Sequence, residues 1–337
     1  MSALSATHGI MQAIFSNLFV TLPIPEKAPG LSEKTFIVTG ANQGLGLEAC
    51  KHLLRVGIGR LVMGVRSLDK GEAARKELLA ESGRAPETIE VWQVDMASYA
   101  SVEAFATRAN GLARLDGVLA NAGMMTTTFR RAEDGEATIV VNVVATYLLL
   151  VLLLPKLRAS PAGRATFTVP NSSLHYMAST REILPLSVKK DGKTIFERLA
   201  DKSTSDMKDR YNVSKLLVVF ATRAFDAHLK QRSGLQGGGR VIVNTPNPSY
   251  CKSQLLRDTD QTPPPDWMAR TPEMGSRALV HGLLAGPETS GQFLNNCHVL
   301  APASFVTNKT GAKIEAAFYE ELIQKLDSIV PGVSKNI

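Results

Sequence analysis

The chain has 337 residues, 44% of them hydrophobic and 20% charged, with a formal net charge of +7. That is enough apolar material to bury a sizeable core. Its lysines and arginines are scattered without an aromatic-interleaved basic patch, which speaks for solubility and against nucleic-acid binding. The three cysteines, Cys50, Cys251 and Cys297, are far apart and match neither a disulfide framework nor a zinc spacing. No metal site is therefore expected, and the simplest setting is a reducing, cytoplasmic one.

Residues 1–33 read as an arm. It has no basic leader, and its apolar stretch 10–22 is interrupted by Ser16, Asn17 and Thr21. It is therefore neither a signal peptide nor a membrane span. A short amphipathic helix packed on the body is the expectation, with contact to a membrane surface as the alternative. The body follows as alternating strands and helices. A strand at 35–39 meets a glycine-rich turn and a helix at 45–56. Strand 60–65, helix 68–82, strand 89–94, helix 98–112 and strand 115–120 come next. A long apolar helix spans 135–157; its apolar run is too short for a membrane and holds Asn142 and Pro155, so it reads as a buried core helix. Strand 164–169 is followed by an irregular polar stretch, 174–209, and by helix 210–231. A turn at 237–239, strand 240–245, a Pro-rich loop at 246–272, helix 276–285, a seventh strand at 296–300 and helix 312–326 complete the chain.

Continuous apolar strands separated by helices argue for a parallel sheet covered on both faces. The expected architecture is one doubly wound α/β domain over 34–330, with a single parallel seven-stranded sheet and insertions near 174–209 and 246–272.

The first strand runs into Gly40-Ala-Asn42-Gln43-Gly44-Leu45-Gly46. Such a turn suits a backbone that approaches a pyrophosphate, with the following helix N-terminus offering free N–H groups. An acid about twenty residues further on takes the ribose hydroxyl of NAD, whereas an arginine accommodates the extra phosphate of NADP. Arg66 stands there, and Asp69 already lies in the next helix, so NADP(H) is the expected cofactor. Asp95 with Met96, and Asn121-Ala122-Gly123, end strands three and four, on the edge where ligands lie in open α/β sheets. Tyr211 and Lys215 are four apart and share a helix face. An ammonium beside a phenol lowers its pKa, which suits a Tyr that exchanges a proton with an alcohol oxygen. Ser173 is placed to hydrogen-bond a substrate oxygen. Asn142 is an amide in an apolar helix, and it needs a partner.

Taken in order, TGANQGLG, Asp95 with Asn-Ala-Gly, Asn142, the Ser172-Ser173 pair and Tyr-Asn-Val-Ser-Lys resemble the short-chain dehydrogenase/reductase family over about residues 33–300. The style of the chain is similar to the retinol-dehydrogenase-like branch and to reductases of fungal secondary-metabolite pathways. The resemblance implies a Rossmann fold and an Asn142, Ser173, Tyr211, Lys215 tetrad. In it Tyr211 is the acid/base, Ser173 orients the carbonyl, Lys215 holds the nicotinamide ribose and tunes Tyr211, and Asn142 supports a water-linked proton relay. It also implies a homodimer through helices 135–157 and 210–231. Three departures stand out. Ser173 and Tyr211 are separated by an insertion, which reads as a substrate lid. Pro170 precedes the serines, leaving open whether Ser172 or Ser173 acts. The turn that covers the nicotinamide has Pro248-Ser249 where the family has Pro-Gly.

The expected activity is NADP-dependent oxidation or reduction of a hydrophobic alcohol, ketone or aldehyde, in a biosynthetic step for a secondary metabolite. Met124, Met125, Leu174, Tyr176, Met177, Tyr250 and Trp267 are expected to line the pocket. A cyclase or isomerase that keeps NADP as structure is the alternative, disfavoured by the intact tetrad. A cofactor-sensing binding protein is a further one, and it would be indifferent to losing Tyr211.

Overall fold

The computed structural model describes residues 3–236, 239–260 and 262–337. The turn expected at 237–239 thus falls largely outside the described residues. The order of the main elements is α1 (Ala3–Phe19), β1 (Thr35–Thr39), α2 (Gly44–Arg55), β2 (Arg60–Val65), α3 (Leu68–Ser82), β3 (Ile89–Gln93), α4 (Tyr99–Asn110) and β4 (Gly117–Leu119). It continues with α5 (Ala137–Arg158), β5 (Arg164–Thr168), α6 (Arg210–Gln236), β6 (Arg240–Asn247), α7 (Pro272–Leu284), β7 (Phe293–Asn295), β8 (His298–Leu300) and α8 (Lys309–Ile329).

These strands form one sheet in the order β8-β7-β6-β5-β4-β1-β2-β3. Every pairing is parallel except that of β8 with β7. The sheet therefore has eight strands, not seven. The range expected as one strand, 296–300, holds the turn and the second strand of a hairpin whose first strand is Phe293–Asn295; Asn296 and Cys297 both adopt positive φ and fold the chain back. The chain winds outward one way through β2 and β3, then the other way from β4, so β1 and β4 flank the point where the direction reverses. In such sheets the crevice at the carboxyl ends of these strands is the ligand site.

The inner strands β1, β2 and β4 are buried on both faces, as their uninterrupted apolar runs require. Helix α5 crosses the larger core. It is long and apolar enough to cross a membrane, yet 94% of its most apolar window is buried in the protein, so it is the core helix foreseen from its composition. A π turn at Val140–Val144 interrupts it. Its outer side and that of α6 are covered by α8, through Ile314, Phe318, Leu322 and Leu326, and by Val333 and Ile337 of the final turn. The apolar face that the family resemblance assigns to a homodimer is thus occupied by the chain's own C-terminal helix.

The insertion after β5 is not a structureless lid. Ser173–Met177 forms a 3₁₀ turn, and short helices follow at Leu186–Lys189 and Ile195–Leu199, the second closed by a Thr194–Glu197 capping box. Two buried guanidiniums organise it. Arg198 donates to the carbonyls of Glu182, Leu184 and Lys193 and to Asp191. Arg210, fully buried, reaches Glu182 (3.0 Å), Ser205 Oγ (2.9 Å) and Glu136 (3.7 Å). Burial raises the pKa of both glutamates above the ordinary carboxylate value. This network ties the insertion to the first residue of α6 and leads the rest of it away from the crevice.

If α8 is part of the core, Phe318→Ala should cost about 3–5 kcal/mol in urea unfolding, the usual price of emptying a buried phenylalanine site. A loss below about 1 kcal/mol would show that α8 merely leans on the body.

Candidate active site

The glycine turn is shaped by close approach. A Cβ on Gly46 would stand 2.3 Å from the Gly40 carbonyl oxygen and 2.5 Å from Asn121 Nδ2, so only glycine lets α2 start this near β1. Gly44 has φ +55° and faces open space, its nearest neighbour being Ser253 Cβ at 4.0 Å. Gln43 caps α2 with no side-chain hydrogen bond, so the N–H groups of the first turn stay available to an anion. Asn121 Nδ2 donates to the carbonyls of Thr39 (3.0 Å) and Gly40 (3.3 Å), and Ala122 N donates to Thr39 Oγ1, locking the β4 loop to the turn.

Arg66 follows β2 at the same edge, exposed and with no carboxylate within ion-pair distance among the described residues. These features fit a dinucleotide cofactor. Asp95 accepts from Ala97 N (2.9 Å) and shapes its own turn. The Met96 side chain is packed in the core, so only its backbone can face a ligand. Asn42 and Gln43 lie in the turn itself.

Beyond the turn opens a cavity of about 490 Å³. It brings together Leu45, Asn121, Gly123, Ser172, Ser173, Tyr211, Lys215, Pro248 and Ser249. Pro170 does not displace the serines: sheet bonding resumes at once with Asn171 N to the Pro246 carbonyl (2.8 Å), and the Pro170 carbonyl accepts from Lys215 Nζ (2.8 Å). Ser172 Oγ accepts from Leu174 N (3.2 Å) and caps the 3₁₀ turn. Ser173 Oγ instead accepts from Asn247 Nδ2 (2.7 Å), which leaves its own proton to be given. Both hydroxyls thus line the cavity with a proton to give; they differ in that Ser173 is held by a side chain of β6.

Asn247 is the residue that sequence reasoning passed over. It is buried; its Nδ2 also donates to Asn295 Oδ1 (3.0 Å), and its Oδ1 accepts from Ser249 N (2.9 Å). One amide thus orients Ser173 and holds the Pro248-Ser249 turn. The signal was an asparagine directly before that turn, visible only as part of a departure from the family pattern. Ser249 pays for replacing glycine with φ +63° and a buried hydroxyl that has no partner.

Asn142 sits in the π turn and stays within the protein. It accepts from Met124 N (2.9 Å) and donates to the Met124 carbonyl (2.9 Å) and Ser214 Oγ (3.1 Å). It does not line the cavity; its visible role is to pin the loop after β4 to α6. π turns inside α-helices commonly mark such positions.

The charges differ from expectation in one respect. Lys215 Nζ lies 5.4 Å from the Tyr211 ring centroid, yet the Tyr211 pKa is raised, by burial first and by nearby Cys251 second. Burial also lowers Lys215 to about 8. Desolvation outweighs the ammonium–phenol attraction, and Tyr211 is a neutral phenol at neutral pH.

Of the expected lining residues, Met124, Met125, Leu174, Met177 and Tyr250 face the cavity. Tyr176 does not; its ring packs against His175 and Phe293, and its hydroxyl donates to the Ala301 carbonyl (2.6 Å). Trp267 does not either, being 70% exposed on the surface. His175, fully buried, braces the serine turn: Nδ1 bonds the Ser172 carbonyl (2.8 Å) and Nε2 accepts from Ala303 N (3.3 Å). Burial holds it neutral, with a pKa near 4.

The short chain dehydrogenase family model matches residues 34–182. Across 97% of this chain and all of its own length, a short chain dehydrogenase/reductase of Cryptosporiopsis sp. (strain 8999) is 39% identical. A short-chain dehydrogenase of Penicillium roqueforti (strain FM164) is 35% identical over 98% of this chain and 86% of its own. Among solved structures, a short chain dehydrogenase of Escherichia coli CFT073 complexed with NADPH superposes with a TM-score of 0.56 at 21% identity, covering 79% of this chain and 97% of that one.

The neutral His175 gives the site a pH dependence. The unfolded imidazole takes up a proton near pH 6.5, whereas the folded one resists until about 4. The unfolded state thus binds more protons in that window, so this group's stability is complete above about pH 6.5 and is lost as pH falls toward 4. Urea unfolding at about pH 7.5 and about pH 4.5 should show a loss about 2–3 kcal/mol smaller in His175→Gln than in the parent; an equal loss in both would refute the assignment.

By full-length similarity and by fold, the chain belongs to the short-chain dehydrogenase/reductase family.

Proposed function

We propose that this oxidoreductase is NADP(H)-dependent and reduces the carbonyl group of a hydrophobic ketone or aldehyde. The observation that carries the reading is a single one. The Tyr211, Ser173 and Lys215 side chains line one largely apolar cavity, directly beyond the glycine turn at the carboxyl edge of β1 and β4. NADPH, when bound, supplies the hydride that reduces the carbonyl carbon.

The chain's own residues do the rest. Gly40, Gly44, Gly46 and the α2 N-terminus take the pyrophosphate, and Arg66 takes the extra phosphate as a charge-assisted pair. Asn121, Gly123, Pro248 and Ser249, which line the cavity, and Ala122, tied to the glycine turn, would hold the nicotinamide end. Asn247 donates to Ser173 Oγ, so the serine proton points to the substrate oxygen and stabilises the charge that develops there. Tyr211, held neutral by burial, gives its proton to that oxygen. A neutral phenol is the form needed for reduction, whereas alcohol oxidation needs the phenolate. Lys215, with a pKa of about 8, is cationic at neutral pH, and its ammonium stabilises the phenolate left when Tyr211 gives up its proton. Asn142 acts through Met124 and Ser214 as a positioning residue. The fungal relatives and the apolar cavity support a biosynthetic step on a natural-product-sized molecule.

Tyr211→Phe should lower kcat/KM for NADPH-dependent ketone reduction by about 10²–10⁴. Turnover that survives the change would remove Tyr211 from the chemistry. Arg66→Ala should weaken NADPH binding about 10–100-fold, the worth of one hydrogen bond to a charged group, and leave NADH binding nearly as it was. Equal losses for both cofactors would overturn the NADP assignment.

A further inference from the structure

Among the described residues, the 174–209 insertion contributes only Leu174 and Met177 to the cavity, so the outer wall must come from elsewhere. It comes from the 246–272 insertion and from the arm. Gly9, Ile10, Ala13, Ile14 and Asn17 of α1 all line the cavity, and their spacing places them on one helix face. The arm precedes the segment matched by the family model, which begins at residue 34.

Helix α1 carries large apolar side chains on both of its sides. Met11, Phe15, Leu18 and Phe19 on its other side are 61%, 58%, 39% and 73% exposed. Hydrophobicity therefore cannot decide which side faces inward; polar contacts do. Asn17 Nδ2 donates to the carbonyls of Tyr250 (2.9 Å) and Met268 (2.6 Å), across the 246–272 insertion. Ser16 Oγ accepts from Asn296 Nδ2 (2.9 Å) and Asn295 Nδ2 (3.3 Å). Arg270, 4% exposed, donates to the Ser16 (2.6 Å) and Val20 (3.2 Å) carbonyls at the helix C-terminus and to Asn296 Oδ1 (2.8 Å). No carboxylate lies within ion-pair distance of this guanidinium among the described residues. Its charge is instead met by carbonyls at the negative end of α1. At the other end, Gly9 admits the helix against the serine turn: a Cβ there would meet Tyr176 Cβ at 2.7 Å and the Ser173 carbonyl oxygen at 3.3 Å. Rotation and height of α1 are both set by partners at the active site.

We propose that α1 is a fixed wall of the substrate cavity, and that Ile10, Ala13 and Ile14 select the size of the apolar carbonyl compound admitted to Ser173 and Tyr211. This rests on the reductase reading for the identity of the ligand, while the wall itself rests on the contacts of α1. Ala13, the smallest side chain on that face beside Gly9, leaves the room that a fused-ring or long-chain substrate needs; Ile10 and Ile14 bound it.

The test compares a bulky and a small ketone, 9-fluorenone and cyclohexanone, on the full-length protein with NADPH. Because both rates are read on one preparation, the folded fraction cancels in their ratio. In Ala13→Trp the ratio of kcat/KM for fluorenone to that for cyclohexanone should fall at least about tenfold, the range over which pocket shape discriminates apolar ligands. In Ile14→Ala it should rise about threefold or more. A ratio within about twofold of the parent in Ala13→Trp would overturn the proposal. If the parent reduces neither ketone, the reductase reading fails, and the wall is judged by equilibrium dissociation constants for the same two ketones. The same shift in their ratio would support it. An unshifted ratio, or a parent that binds neither ketone, would overturn it.

Discussion

A strand that ends at a ligand site leaves backbone donors and acceptors inside the protein, where each must find a partner or cost free energy. In this chain asparagine amides supply the partners along the carboxyl edge of the sheet. Asn121 joins the β4 loop to the glycine turn. Asn142 holds Met124. Asn171 spans Thr245 and the Lys215 carbonyl. Asn244 accepts from Thr168 and donates to Gly282 and Thr289, and Asn247 joins Ser173 to Asn295 and Ser249. An amide both donates and accepts, so it bridges two strands or loops where a carboxylate would import charge. The cavity, the serine and the cofactor turn all inherit their positions from these bridges.

The fold was legible because it is written in local pattern: apolar strands, a 3.6-residue period in the helices and glycines where backbones touch. The edge hairpin at β7 and β8 was not, since its turn is made by Asn296 and Cys297 rather than by glycine. Tyr211, Lys215 and Ser173 could be nominated from type and spacing, and the cavity does bring them together. What spacing cannot show is which groups are buried against which. That is why Tyr176 was placed in the pocket although its ring serves the His175–Phe293 cluster. It is also why Asn247 was passed over, and why no residue of the arm was among the expected lining residues although Ile10, Ala13 and Ile14 line the cavity. Contacts between α1 and residues near 270 and 296 bridge some 250 positions of sequence, beyond the reach of any local signal.

Burial also sets the protonation state of the two groups at the site. A phenol and an ammonium in water would exchange a proton readily near pH 10. Enclosed together, each is driven toward its uncharged form, and the phenol stays protonated while the ammonium falls to about 8. The site is thereby poised as a proton donor at neutral pH, which suits carbonyl reduction. The largely apolar walls then strengthen every hydrogen bond made to the developing oxyanion.

The central claim is that hydride passes from the nicotinamide to a carbonyl carbon held by Ser173 and Tyr211. Single-turnover reaction of the protein with NADPH carrying deuterium at both C4 positions and with 9-fluorenone, followed by mass spectrometry of the product, addresses it directly. The account predicts fluorenol with one deuterium on carbon at the former carbonyl. Alcohol formed without that label, or cofactor oxidised with no labelled product, would contradict it.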